Sequence, residues 1–509
     1  MATKSECCQI SSAHCTSYVG AIFLAIGIIF AATYKPILNF GLTLVFQLKE
    51  GSLYFDQFIQ PEPPIYLSIY IWDVQNYDDY TYNTRTNSWT FPKPVMKEVG
   101  PFVYREIRIK ENVTYTDSTT KTRLQARQTY FYESVYDPDL SWTGLDPMNH
   151  RVSVTNILAV GLPSIVEHAL RNRTEILKTA GRLLVNDVLK TSEALPIIKD
   201  ITADDAIFHY KDPVLIALHE ICQHNQICKE IEFIQHILEV LPSEFGMLVQ
   251  KILPLLGWPY YEWNTGIPDI ENYAQIMRYK MVDRNEFNSE LLWWPEGTSC
   301  NLIKGTDGMS QQPFLRKEVD TAWIFSPDAY RSLYLNYTGI SKTKNYGVKT
   351  YRYELDIETI FAGPNNNPEN ACYCYGNWFW DERNHGLDCN EMDGGYIPDA
   401  AWFGVPLLLT FPHFTAGEKW RNLARGEYFP NKTNPNYQTF MESEPISGAS
   451  MKVASRLQQN LAITKDKHGC TKHGHRESSG SIHVFCLKNM VMKKIFISHF
   501  MALFSKVFH

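Results

Sequence analysis

The chain has 509 residues, 44% hydrophobic and 20% charged, with a net charge of -7. That is a globular composition, which excludes both a disordered chain and a small disulfide-dense peptide, and the acidic balance supplies no basic field for a nucleic-acid partner. Aromatic residues make up 13%, which favours a strand-rich fold because rings pack well on pleated surfaces.

The first predicted element is a membrane helix. Tyr18 to Tyr34 carries no charge, and the apolar character resumes after Lys35 and runs to Leu48. The first run alone approaches the span of a bilayer core. A cleaved signal peptide is the competing reading, but the region before the run sets only Lys4 against Glu6 and the apolar stretch is long for a cleaved segment. The prediction is a short cytosolic N-terminus over 1–17 and an uncleaved transmembrane helix with a juxtamembrane apolar segment over 18–48. Charge does not set its orientation, with Lys4 on one side and Lys35 and Lys49 on the other. Cys7, Cys8 and Cys15 sit just before it, as palmitoylation candidates if that end is cytosolic or as spectator thiols.

Strand character follows in Pro64 to Val74, Glu98 to Ile109 and Arg123 to Val135, where apolar and polar residues alternate between turn formers. Near Thr155 the period changes. Leu158, Leu162, Ile165 and Val166, then Ile176, Leu177, Ala180, Leu183 and Leu184 recur at helical spacing. A second helical pattern over Glu230 to Leu256 includes Phe245, Leu248, Val249 and Ile252, so 155–256 reads as a helical subdomain inserted between strands. From Trp258 the text is β-like again. Asn112, Asn172, Asn336 and Asn431 head Asn-x-Ser/Thr sequons, glycan acceptors if this bulk of the chain is lumenal. Beyond Ile463 a polar stretch leads to an apolar, basic end whose longest uncharged run, Ile495 to Ser505, is too short to span a bilayer. That end reads as a membrane-surface segment or as an unstructured tail.

Signatures of catalysis are absent: there is no Gly-x-Ser-x-Gly elbow, P-loop or dinucleotide fingerprint. His219 and His224 are five apart, off the four-residue register that a zincin needs. Cys372, Cys374 and Cys389 with His385 present the ligand types of a zinc site, a redox site or covalent staples. The tail residues Cys470, His473, His475, His483 and Cys486 match no zinc-finger spacing. Cys222 and Cys228 are either a staple across a helical hairpin or two free thiols. No catalytic residue, metal or cofactor is predicted.

Several stretches, read together, resemble the class B scavenger receptor family, which also contains the lysosomal integral membrane protein. They are GSLYFDQF (51–58), IYIWDVQN (69–76), EVGPFVYREIR (98–108), HYKDP (209–213), GTDG (305–308), GVKTYRYELD (347–356), NPENACYC (367–374), FPHF (411–414) and EPISGASMKVASRLQQNL (444–461). The resemblance implies an α+β fold: a large antiparallel β-barrel-like ectodomain over 49–463, an inserted apical helical bundle and an internal apolar tunnel. It implies a receptor of the cell membrane, with its ectodomain extracellular or lumenal, that binds lipoproteins or lipids (fatty acids, sterols or their esters) at the helical apex and passes lipid through the tunnel to the membrane. A lysosomal membrane receptor escorting a protein cargo is the alternative from the same family, and a membrane-tethered hydrolase a third reading from another class. Arg171, Arg173, Lys178, Arg182 and Lys190 become candidate apical contacts by location. A lumenal setting favours disulfides over a thiolate metal site, and the family arrangement pairs Cys374 with Cys389 and Cys372 with Cys300.

The chain departs from the family pattern in three places. Tyr330 stands where many members have a cysteine, the insert with Cys222 and Cys228 has no close counterpart, and residues 464–509 show neither the family's final ectodomain segment nor its second membrane helix. Missing final strands are expected to leave sheet edges unpaired.

Overall fold

The computed structural model describes residues 4–62, 65–79, 81–83, 88–90, 95–136, 145–170, 173–192, 197–225, 228, 238, 244–246, 258–282, 294, 297–316, 321–327, 329–343, 347–360, 362–373, 397–399, 407–414, 437–463 and 495–504. Cys374, His385 and Cys389, the sequons at Asn172 and Asn431, Arg171, and the tail histidines and cysteines lie outside these residues.

Helix α1 (Lys4–Phe46) contains the predicted span. Its stretch Ser17–Phe46 is long and apolar enough to cross a membrane, and the most apolar part of that stretch is not buried against the rest of the molecule. At about 1.5 Å per residue those 30 residues outrun a hydrocarbon core of about 30 Å. The helix takes in residues 4–16, read from sequence as a separate short terminus, and so carries Cys7, Cys8 and Cys15, whose side chains are not described. Its C-terminal end is anchored in the globular part. Phe46 and Leu48 are buried, the Leu48 amide donates to the Thr265 carbonyl at 2.9 Å, and the Phe46 ring meets Tyr54 and Phe314 edge-on. A short helix α2 (Leu53–Ile59) follows directly.

The rest is built on strands. In chain order they are β1 (Ile65–Val74), β2 (Thr81–Asn83), β3 (Ser88–Thr90), β4 (Met96–Tyr115), β5 (Arg123–Ser134), β6 (Arg151–Thr155), β7 (Ile197–Thr202), β8 (Tyr210–Lys211), β9 (Glu244–Phe245), β10 (Trp258–Asn264), β11 (Ile276–Val282), β12 (Ala322–Ser326), β13 (Arg331–Lys342), β14 (Lys349–Leu355), β15 (Ile397–Asp399), β16 (Leu407–Thr410), β17 (Phe440–Ser443), β18 (Ser450–Ile463) and β19 (Ile495–Phe504). Thirteen form one sheet in the order β11-β10-β5-β4-β1-β19-β18-β17-β14-β13-β12, with β16 also on β18 and β15 on β16. The pairings along it are antiparallel. β1 alternates buried and half-buried residues along its length, as a strand between a core and a wetter face does.

The expected barrel-like closure is not what forms. The sheet ends on β11 and β12, which do not pair with each other. The GTDG loop spans the gap instead: Ile276 of β11 donates to the Gly305 carbonyl at 2.8 Å, Thr306 donates to Trp323 of β12, and Phe325 donates back to Thr306. Gly305 has a φ of +90° and lies against the Trp323 carbonyl, an approach that a side chain would block.

The expectation of a free or membrane-surface tail does not hold for 495–504. This segment enters the sheet as β19, hydrogen-bonded to β1 on one side and β18 on the other, so it covers edges expected to be unpaired. A short apolar run rich in Ile and Phe suits a strand paired on both sides, and periodicity alone does not separate that from a buried helix.

Three helices, α3 (Ile157–Leu170), α4 (Glu175–Thr191) and α6 (Pro213–His224), pack together over β1, β4 and β6, with a short α5 (Ala203–Phe208) beneath them. Leu67, Ile69, Phe102 and Tyr104 of the sheet share one apolar core with Leu162, Val188, Leu215 and Leu218 of the helices. Asp212 caps α6, accepting from the amides of Val214 and Leu215, with Pro213 opening the first turn. Phe245, read from sequence as helical, is instead in β9 against Tyr210 and Lys211. Gly246 beside it packs onto the Phe208 carbonyl, where a Cβ would sit 2.4 Å away.

Candidate functional site

The curl of the sheet brings its two limbs face to face around a cavity of about 100 Å³. One limb gives it a polar wall: Arg108 on β4, Gln128 and Tyr130 on β5 and Tyr261 on β10, with Asp307 from the GTDG loop. The opposite limb gives an apolar wall from Leu333 and Leu335 on β13, Leu355 on β14, Phe440 on β17, and Val453 and Leu457 on β18. A space of this size is smaller than the pocket of a whole drug-sized ligand, which starts near about 300 Å³.

The polar wall arises from an inverted strand pattern. Glu106, Arg108 and Lys110 share one face of β4, and that face points inward: they are 3%, 9% and 3% exposed, while Ile107 and Ile109 between them lie on the wetter side. The Arg108 Nε donates to Glu106, and its guanidinium stands 5.4 Å from the centre of the Tyr130 ring. Burial opposes the Arg108 charge, but the carboxylate of Glu106, with Tyr130 and Asp307 behind it, more than restores it, so the guanidinium is held more firmly protonated than usual.

Lys110 sits deeper. Its Nζ donates to the Phe58 carbonyl at 2.8 Å, lies over the Phe58 ring at 4.1 Å and is 3.8 Å from Asp307 Oδ2. Burial lowers its affinity for the proton to about 8 even with Asp307 in support. Gln128 is directly across the strand pair from Lys110. Its Nε2 donates to the Tyr130 hydroxyl, whereas its buried Oε1 has no hydrogen-bond partner among the described residues. None of these residues was singled out from sequence. The signal was present in the alternation E-I-R-I-K, where placing the isoleucines inside is the natural reading and the structure takes the opposite phase.

The residues nominated from sequence lie elsewhere. Arg173, Arg182 and Lys190 are exposed on or beside α4, and Lys178 bonds Glu175 one turn before it at 2.8 Å. The inward face of α4 carries Leu184, Val185, Val188 and Leu189, which leaves this basic set on the solvent side, next to Ile176 at 81% exposure. Asn112 and Asn336 are both exposed, and Asn336 Nδ2 donates to Asp356. His219 and His224 lie on α6, and among the described residues no group of His, Cys, Asp and Glu is arranged to hold a metal.

Two disulfides are present among the described residues. Cys222 near the end of α6 is bonded to Cys228, and Cys300 is bonded to Cys372 with their Cα atoms 5.9 Å apart. The second closes a cluster in which Trp294 donates to the Tyr330 carbonyl at 2.7 Å and Arg331 lies 3.9 Å over the Tyr373 ring. Tyr330 is itself buried here, so this position is held by packing and by its carbonyl.

Comparison with known proteins places these features in context. A family model described as the CD36 family matches residues 18–474. Lysosome membrane protein 2 of Rattus norvegicus is 26% identical over 423 residues, covering 82% of this chain and 73% of that protein. Scavenger receptor class B member 1 of Mus musculus is 24% identical over 451 residues, covering 88% of this chain and 75% of that one.

Proposed function

The chain belongs to the CD36 family and is a membrane protein, and from that premise we propose that it is a receptor that binds lipid or lipoprotein at its helical end and passes lipid through the curled sheet toward the bilayer. The observation that carries this reading is the cavity between the two limbs, with an apolar wall from β13, β14, β17 and β18. An apolar conduit spares a hydrocarbon chain its contact with water, which is worth about 0.8 kcal/mol per methylene. Helices α3, α4 and α6 cover one face of the same sheet, where the exposed Ile176 and the basic residues Arg173, Arg182 and Lys190 supply a surface for a lipid-carrying particle. The reading places the protein at the cell membrane, with the sheet on the extracellular side.

The test is native mass spectrometry of the purified full chain after incubation with a fatty acid and with a cholesteryl ester. Retained lipid is the expected result, with photo-crosslinks on the strands that line the cavity. A protein that stays lipid-free while hydrolysing the ester overturns the reading. The match to lysosome membrane protein 2 supports a second reading, a lysosomal membrane receptor that escorts a protein cargo on the same helices. Residence in lysosomes, with a co-purifying protein released by substitutions on α4, is the outcome that would favour it.

A further inference from the structure

The polar wall of the cavity has no charge to spare. Arg108 is the one cation among the described residues that line it, and Glu106 already holds it. Lys110, next on the same face, is held by the Phe58 carbonyl and by Asp307. A buried carboxylate, Glu106, and a largely covered one, Asp307, therefore face two buried cations. An ionised fatty acid brought to this wall would set a third carboxylate beside Glu106 and Asp307, in surroundings where an unmatched charge is costly.

Gln128 supplies the complementary requirement. It is 3% exposed, its Nε2 is used by Tyr130, and its Oε1 is a buried acceptor without a donor among the described residues. A buried carbonyl oxygen left in that condition gains from any hydroxyl that reaches it.

We propose that the cavity selects an uncharged lipid bearing a hydroxyl, which donates to Gln128 Oε1 while its hydrocarbon lies against Leu333, Leu355, Phe440 and Val453, and that the Glu106–Arg108 and Asp307–Lys110 pairs turn away an ionised fatty acid. This rests on the lipid-receptor reading and names the ligand class of the same site. Sterols and long-chain alcohols share the required chemistry.

The experiment uses the full chain in nanodiscs of neutral phospholipid with three photoreactive probes: a sterol, a long-chain alcohol and the fatty acid of the same length, at neutral pH. The hydroxyl probes are expected to label the strands around the cavity, and the acid to be captured about tenfold less, the factor that one lost or opposed polar contact produces. Labelling by the sterol alone or by the alcohol alone supports the proposal and tells which hydrocarbon body the apolar wall accepts. Gln128→Leu should cut capture of the hydroxyl probes about tenfold and leave the acid unchanged. Glu106→Gln releases the Arg108 charge and should raise capture of the acid, a gain that misfolding cannot imitate. Equal capture of acid and alcohol, or a Gln128→Leu variant that behaves as the parent, overturns the proposal and leaves the lipid-receptor reading standing. Failure of all three probes to label the cavity strands overturns both.

Discussion

Gly305 lies so close to Trp323 that a Cβ on it would stand 2.1 Å from the Trp323 carbonyl oxygen. This approach lets a loop, rather than a strand pair, tie β11 to β12, and the next residues of the same loop deliver Asp307 to Lys110. Gly305→Ala adds a side chain both to a left-handed backbone and to a contact with no space. The expected cost is at least about 2 kcal/mol, read as a lowered unfolding midpoint in urea. Gly297 also has a positive φ but nothing among the described residues within 4 Å of a Cβ there, so Gly297→Ala should cost less. Equal losses at the two sites would show that backbone conformation alone, and not the approach to Trp323, sets the penalty.

A second expectation concerns pH. Burial pushes the Asp212 carboxyl up to about 6 from its ordinary 3.8, against the opposing pull of the Val214 and Leu215 amides. Between those values the folded chain holds a proton that the unfolded chain has released, so the stabilising contribution is whole below about 3.8 and is lost as pH rises through about 6. The swing is about 3 kcal/mol. Asp212→Asn keeps an acceptor for the cap of α6 and removes the titration. Its thermal midpoint should vary less with pH than that of the parent, and an unchanged profile would assign the slope to another group.

The Cys300–Cys372 bridge joins residues 72 apart in sequence. Closing a loop of that order constrains the unfolded chain by about 4 kcal/mol, so the paired Cys300→Ser, Cys372→Ser variant should unfold at markedly lower denaturant. Non-reducing peptide mapping checks the pairing itself. Recovery of Cys300 as a free thiol would contradict it.

Asn112 and Asn336 are exposed, as glycan acceptors must be. If the sheet is extracellular or lumenal, endoglycosidase treatment should shift the protein on a gel, and Asn112→Gln and Asn336→Gln should each remove one step of that shift. A protein indifferent to the enzyme would argue for the opposite orientation of α1.

Much of this architecture was legible in the residues. The uncharged run from Tyr18 declares α1, and the spacing of Leu177, Leu184 and Val188 declares α4. Other features were hidden for definite physical reasons. Charged residues at 106, 108 and 110 sit inside because Asp307, which neutralises Lys110, is brought there from a loop some two hundred residues away; alternation sets the period of a strand but not its phase. Phe245 follows a helical pattern locally, yet its backbone pairs with Tyr210, a partner that local periodicity does not reveal. Residues 495–504 are too short and too uniformly apolar for periodicity to decide, and their place depends on the donors and acceptors that β1 and β18 present.

The anchoring of α1 has a mechanical consequence. Helix α1 ends at buried Phe46, the buried Leu48 just after it is hydrogen-bonded to Thr265, and α2 begins five residues later and presents the Phe58 carbonyl to Lys110. If α1 spans the bilayer, a tilt of the helix is carried as a lever stroke, across the short turn over 47–52, to the residue beside the charged wall. Two glycines inserted after Phe46 should break this transmission: the isolated fold would keep its stability, while the orientation of the sheet relative to the membrane, followed by fluorescence transfer to lipid dyes, would broaden.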